Sequence, residues 1–152
     1  MAEILGKEIV LSVNVGTAAV PDWLIVGCSE SDGFSGSTDS ISVSNKCISG
    51  YTKNLPGDKS WSFSNTAVMP KVPEAGFISY DALFELWSDD SEDGEGEMTQ
   101  WKLENLPSAD FVYYRMGRGF ISDLGEQIDA GDVFRTDITI TGNGAVTNVE
   151  TT

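Results

Sequence analysis

Alternating apolar and polar residues run through much of the chain, a pattern typical of strands that bury one face. Ile9, Leu11 and Val13 predict a first strand, and the apolar run 23–26 follows a turn as its hairpin partner. The segment 29–37 is rich in Ser, Gly and Asp, so we predict a loop or a short irregular edge there.

The clearest alternations lie at residues 40–44 and 60–64, where apolar residues are interleaved with serines. Both predict strands with a small polar outer face. The connection between them, residues 45–59, is far longer than a hairpin loop of about two to five residues. Because long ordered connections are usually functional, and this one carries Tyr51 and Leu55, we expect it to cover a surface of another subunit.

One segment has helical spacing instead. Tyr80, Leu83, Phe84 and Trp87 recur at intervals of three and four residues behind Ser79, a residue type suited to the N-cap. We therefore predict about three turns of helix packed on a sheet, with Trp87 in the core.

The C-terminal part of the chain predicts four more strands. Two glycine-containing segments, 117–119 and 141–144, are interpreted as turns, since neither has the lysine or the strand-to-helix context of a phosphate loop. Asn143 and Gly144 suit positive φ. The four predicted strands are 98–103, 111–116, 119–124 and 133–141.

Composition narrows the function classes. The 152 residues have room for one ordinary domain, 1–152. With 24 acids against 9 bases, the net charge of −15 disfavours sequence-specific binding of nucleic acid. The chain has no histidine, which excludes His-based catalysis and His-ligated zinc, and no carboxylate pair stands out as catalytic. We therefore expect no enzyme activity and no cofactor.

The two cysteines and the termini add little chemistry. Cys28 and Cys47 are too few for a thiolate metal site, and we interpret both as reduced. No stretch approaches the roughly 20 apolar residues of a membrane span, and the first residues lack the features of a signal peptide. These features predict synthesis in the cytoplasm and no membrane partner.

An acidic loop at 88–97 is the only candidate for a cation site. Its spacing from Asp89 matches an EF-hand through Glu97, with Gly94 in the sixth position, but the twelfth position is Gln100 where a bidentate Glu is needed. We interpret it as a solvated loop and keep an alternative function open, a calcium-assisted carbohydrate-binding β-sandwich in a receptor-binding or decoration protein. The candidate calcium ligands are Asp89, Asp93, Glu95 and Glu97.

Four segments together resemble the major tail tube proteins of long-tailed bacteriophages. They are the short alternating N-terminal strand from Gly6-Lys7, Thr38–Ser44, Gly50–Ser64 with Leu55-Pro56-Gly57 before Trp61, and Asp137–Val146 with its Gly-Asn-Gly segment. The acidic loop and the two cysteines are not part of that pattern.

The resemblance implies an antiparallel β-sandwich or half-barrel with one flanking helix, forming hexameric rings that stack into a tube. Expected partners are the chain itself, the tape measure, tail terminator and distal tail proteins, and DNA as non-specific passing cargo. The tube would be assembled in the host cytoplasm and lie in the virion tail. An acidic lumen would repel DNA phosphates, which fits the charge. The implied inter-subunit contacts are Tyr51, Lys53, Leu55, Pro56 and Lys59.

Overall fold

A computed structural model describes residues 6–17, 19–43, 50–69, 75–88, 98–128, 130–131 and 133–148. Its elements follow a 3-10 turn, Gly6–Glu8. They are β1 (Ile9–Asn14), β2 (Trp23–Ile25), β3 (Cys28–Val43), β4 (Lys53–Val68), α1 (Tyr80–Ser88), β5 (Gln100–Asn105), β6 (Tyr114–Gln127) and β7 (Arg135–Thr147). No helix of the described part of the chain is long and apolar enough to cross a membrane.

All seven strands belong to one antiparallel sheet, in the order β2-β1-β5-β6-β7-β4-β3. The predicted hairpin of the first two strands is confirmed by the pairs Ser12↔Ile25 and Asn14↔Trp23. The start of β3, at one edge of the sheet, comes close to β1 and the 3-10 turn, so the sheet curls back on itself. The expected mainly antiparallel β fold with one helix is confirmed.

The core lies on one face of this curled sheet. Along β4, every second residue from Trp61 to Ala67 is buried, and Phe63 and Ile140 are fully covered. The helix α1 adds Leu83 to the same cluster. Its predicted N-cap is confirmed, because the backbone N–H of Ala82 donates to Ser79 Oγ at 3.2 Å.

The prediction of a core position for Trp87 is wrong. The helix has nine residues, and only Leu83 is fully buried against the sheet. Trp87 stays 42% exposed, and its ring contacts Phe84 on the helix surface at a centroid distance of 5.6 Å. A short helix presents only a narrow stripe to a sheet, so its outer aromatic residues remain in solvent.

Residues 29–37, predicted as a loop or a short irregular edge, lie within β3, a strand of 16 residues that forms one edge of the sheet and has a register irregularity between Ser29 and Ser31. They pair with β4 along its length, and Phe34 lies opposite Phe63 with a ring centroid distance of 5.8 Å. The strand is determined by its partner rather than by its own hydrophobicity, which is why its Ser- and Gly-rich sequence did not indicate it.

The connection predicted at 45–59 is shorter than expected, since β4 already begins at Lys53. Residues 53–59 are strand, paired with the end of β3 through contacts such as Val43↔Lys53. Neither face of this stretch is buried in the chain, so the apolar alternation that would identify a strand is missing.

The predicted strands 111–116 and 119–124 form parts of a single strand, β6, and Gly117 and Gly119 lie within it instead of in a turn. The reason is packing. A Cβ on Gly117 would lie 2.3 Å from the Trp61 indole, and one on Gly142 in β7 would lie 2.2 Å from it. Glycine at both sites makes room for the indole, whose N–H donates to the Gly144 carbonyl at 2.9 Å.

The remaining boundaries shift by a few residues. The strand predicted at 98–103 is β5 at 100–105, and that predicted at 133–141 extends to Thr147 in β7. Gly144 has the expected positive φ, at 87°, but it lies where the pairing of β6 and β7 changes register rather than in a turn between elements. The acidic residues 89–97 and Cys47 lie outside the described residues.

Candidate assembly surfaces

The β3–β4 hairpin has two parts. In the body, residues 28–36 and 61–68, β4 is also paired with β7 from Ser62 onward. In the arm, residues 37–43 and 53–60, the two strands pair only with each other among the described residues. At about 3.3 Å per residue, the arm extends roughly 25 Å beyond the body.

The tip of the arm exposes apolar side chains. Ile41 and Leu55 are directly paired across the strands and stay 52% and 41% exposed. Tyr51, just before β4, is 85% exposed. A two-stranded ribbon is marginally stable alone in water, and grouped apolar residues on a surface are typical of an interaction site.

The structure brings the five predicted contact residues onto this arm. Lys53, Leu55, Pro56 and Lys59 lie on β4, and Tyr51 precedes it. All five are exposed. Pro56 pairs with Ser40 next to an irregularity in the register, a position at which a strand tolerates the missing backbone N–H. Whether these residues contact another subunit stays a prediction.

The face of the body opposite the core is lined by hydroxyl groups. Register places Ser62 and Ser64 of β4 beside Thr141 and Thr139 of β7. Two exposed carboxylates lie on this same face, where Asp137 pairs with Thr66 of β4 and Asp123 of β6 pairs with Thr139. This is a polar, mildly acidic face that spans three neighbouring strands.

The strand edges without a ladder partner in the described chain include one edge of β3 and one edge of β6. The strand β3 ends the sheet and pairs only with β4. The strand β6 pairs with β5 only through residues 114–118, which leaves its edge from Phe120 to Glu126 without a ladder partner on that side among the described residues. Unpaired edges are templates for pairing with another chain.

A cleft of about 740 Å³ separates the start of β3 from the 3-10 turn and β1. Its lining is mostly apolar, with Ile9, Phe34, Phe77, Leu103 and Leu106 among its walls. Ser29, Glu30 and Asp32 line the β3 side. The volume lies in the range of sites that bind drug-sized ligands, about 300–1,000 Å³.

Asp32 is the one described carboxylate with a clearly perturbed pKa. Burial raises the pKa above its usual value, while hydrogen bonds from Asn65 and Ser29 partly offset this shift. Asn65 is 1% exposed and donates through Nδ2 to Asp32 Oδ1 and, at 3.1 Å, to Ser29 Oγ. The side-chain oxygen of Asn65 has no hydrogen-bond donor in the described chain.

Sequence reasoning missed this group because it placed Asp32 in a loop. Asp32 lies directly opposite Asn65 in the ladder, two positions from the Phe34↔Phe63 pair. Asp32 and Phe34 are two residues apart, the spacing of side chains on one face of a strand, and this spacing could have indicated a strand. The surrounding serines and glycines obscured it. The predicted calcium ligands lie outside the described residues, and no group of three potential metal ligands occurs within those residues.

Solved structures of chains from tail assemblies have a fold similar to that of this chain. No family model and no curated protein sequence matches the chain. A chain from the tail of an empty gene transfer agent particle, with C6 symmetry, is 13% identical, with 97% of this chain and 100% of that chain covered and a TM-score of 0.72. A chain of the SPP1 tail tube is 12% identical, with coverages of 97% and 80% and a TM-score of 0.71.

A third similar chain, from the six-fold symmetrised baseplate of the anti-feeding prophage, is 8% identical, covers 99% of both chains and has a TM-score of 0.65. At these identities the likeness shows the fold. The chain therefore has the fold found in the SPP1 tail tube and in the gene transfer agent tail. These similarities give no support to the carbohydrate-binding alternative.

Proposed function

We propose that this chain is a structural, non-enzymatic subunit of a phage tail tube or a tail-like tube, which conducts DNA. The observation that carries this proposal is the match of nearly the whole chain to subunits of tubular tails. In this proposal it self-assembles in the host cytoplasm and lies in the virion tail. The ends of the tube would contact the tape measure, tail terminator and distal tail proteins.

The open strand edges supply a means of closing a ring. The strands β6, β7, β4 and β3 are successive antiparallel neighbours, so β3 and β6 run in opposite directions. In a ring with cyclic symmetry, the β3 edge of one copy therefore meets the β6 edge of the next copy in antiparallel sense. Pairing them buries both edges, which are otherwise an aggregation hazard.

The size of such a barrel suits a conduit. Four strands from each of six copies, the symmetry of the related tails, would give 24 strands. Barrels of about 16–18 strands already leave an aqueous channel, so this one would be wider. We assign the hydroxyl face to the lumen, where Asp123 and Asp137 give the negative potential that keeps DNA phosphates from adhering.

The arm supplies the second type of contact. Ile41 and Leu55 have no apolar neighbour in the core cluster, so another copy must cover them if the tip is to be buried. We assign the contact between subunits to Tyr51, Lys53, Leu55, Pro56 and Lys59 on this arm.

A double variant tests the proposal. We expect Tyr51→Ala with Leu55→Ala to leave a folded monomer whose unfolding free energy changes by less than about 1 kcal/mol, because both side chains are exposed in the chain. The variant should no longer sediment as rings or tubes at concentrations where the wild type does. The matched control is Val20→Ala with Val112→Ala, two exposed apolar residues away from the arm.

Sedimentation velocity over a concentration series separates the outcomes. Assembly of the control but not of the arm variant supports the proposal. If the arm variant assembles like the wild type, the assignment of the contact residues is wrong. If the wild type stays monomeric at every concentration, the tube function itself is contradicted.

A further inference from the structure

We propose that the cleft beside β3 receives the arm tip of a copy in the adjacent ring, with Lys53 placed against Asp32 and the Ile41–Leu55 pair against the apolar lining. This inference rests on the proposed function, and it names the receiving surface that the arm would need. It makes the contact between rings heterologous, with two different surfaces meeting head to tail.

The topology places the two surfaces at opposite ends of the subunit. The arm tip lies beyond the pair Val43↔Lys53. At the other end of the same two strands, Cys28 pairs with Val68, which is also the end where β7 begins at Arg135. The cleft starts at this end, since its β3 wall is formed by residues 29–34.

In a stack of identically oriented rings, the arm end of one ring faces the cleft end of the next. The arm, roughly 25 Å long, reaches well past the boundary between the rings. The cleft is formed within one copy, by residues of the start of β3, the 3-10 turn and β1, so it is present before the rings stack.

The chemistry of the two surfaces is complementary. The tip carries a lysine beside an apolar cross-strand pair, since Lys53 and Leu55 lie on the same face of β4. The cleft carries an apolar lining beside two carboxylates, Glu30 and Asp32. Glu30 is already bound by Arg135 at 3.1 Å, which leaves Asp32 as the carboxylate for the incoming ammonium.

Two features of the Asp32 site favour a cation from outside. Burial disfavours the charged carboxylate, and an adjacent ammonium would offset that cost. Asp32 also lines the cleft, and the side chains that donate hydrogen bonds to it, Asn65 and Ser29, are both neutral, so they leave its negative charge uncompensated.

Cross-linking tests the contact directly. Tubes assembled from a mixture of unlabelled and ¹⁵N-labelled chains are treated with a carbodiimide, which joins a lysine to a carboxylate that it touches, and the linked peptides are identified by mass spectrometry. We expect Lys53 to be linked to Asp32 in mixed-label pairs from tubes, and no such link from monomers.

Four variants accompany the cross-linking. We expect Lys53→Glu and Asp32→Asn each to raise the critical concentration for tube formation at least tenfold. Lys53→Arg should assemble like the wild type because it keeps the charge. Asp22→Asn is the control for Asp32→Asn, since it makes the same chemical change at an exposed site outside the cleft, the arm and the β3 and β6 edges.

The result that overturns the inference is wild-type tubes in which Lys53 is linked only to other carboxylates, with Asp32→Asn assembling normally. The tube function would survive that result. A wild-type chain that forms no tubes contradicts the proposed function instead, so the two failures are distinguishable.

Discussion

The body and the arm of the β3–β4 hairpin are made by the same two strands, yet they differ in almost every physical respect. In the body, Trp61 and Phe63 are buried in the core and β7 adds a third strand. In the arm, nearly every residue is exposed, and within the described part of the chain the two strands pair only with each other. The body is stabilised within the chain, whereas the arm keeps its apolar groups for a partner.

The boundary between the two parts is formed by Trp61. Its indole lies over the glycines of β6 and β7 and donates to the Gly144 carbonyl, where the register of β6 and β7 changes. Beyond this residue β7 no longer pairs with β4. The difference teaches that a single hairpin can carry both a folding core and an assembly surface when one side chain fixes where the core ends.

The largest expected effect contrasts the core with the arm tip. Phe63→Ala should lower the unfolding free energy by about 3–5 kcal/mol, because it removes a fully buried ring from the core. Leu55→Ala should lower it by less than about 1 kcal/mol. Urea unfolding of both variants at a concentration where the chain is monomeric provides the check, and equal losses would abolish the distinction between body and arm.

The next largest effect tests whether the Trp61 indole packs against the glycine at position 142. Gly142→Ala should cost about 1–3 kcal/mol, since its Cβ would overlap the indole at 2.2 Å and force strand or ring to move. Gly36→Ala is the matched control, because a Cβ there would make only ordinary van der Waals contacts, with Phe34 at 3.6 Å and the Ser60 carbonyl at 3.9 Å. Thermal unfolding should separate the two variants, and a Gly142→Ala chain as stable as the control would show that the indole is not held as described.

A pH dependence tests the buried carboxylate of the body. The pKa of Asp32 in the folded chain lies above 3.8, so its contribution to stability is full below that pH and is lost as the pH rises through the folded pKa. Asp32→Asn should therefore lose less unfolding free energy than the wild type between about pH 3.5 and pH 7. Parallel pH profiles of the two monomers would contradict the assignment of that carboxylate as desolvated.

The smallest effect concerns the end of the body. Glu30→Ala removes the ion pair with Arg135, in which both side chains are partly exposed. Such pairs contribute about 0–1 kcal/mol, and less at high salt. A loss above about 2 kcal/mol in urea unfolding at 0.5 M salt would mean that Glu30 holds the strands together more strongly than a surface pair can.

The same comparison explains what could be predicted from the sequence. Where one face of a strand is buried by its own chain, as in β1 and the body of β4, alternation identified it. Where the burial of one face is less complete, as in residues 53–59 and 29–37, alternation did not identify the strand. The pairing partner, rather than local hydrophobicity, determines that these residues are extended. Gly117 looked like a turn because its partner, Trp61, lies far away in the sequence.

Of the candidate surfaces, the arm could be predicted from the sequence and the cleft could not. Tyr51 and Leu55 were identified as contact residues because apolar groups in a polar segment are visible in the sequence. The cleft was not, because it forms only where the curled sheet brings β3 near β1, two strands at distant positions in the sheet order. No pattern within the sequence of either strand indicates that the two strands come close together.

The most direct test of the central claim is electron microscopy of the purified chain across a concentration series, with and without a calcium chelator. The account predicts six-fold rings or hollow tubes that form with increasing concentration and are unaffected by the chelator, and that disappear when Tyr51 and Leu55 are both replaced by Ala. A wild-type chain that stays monomeric, with a stability that falls when calcium is removed, would contradict it.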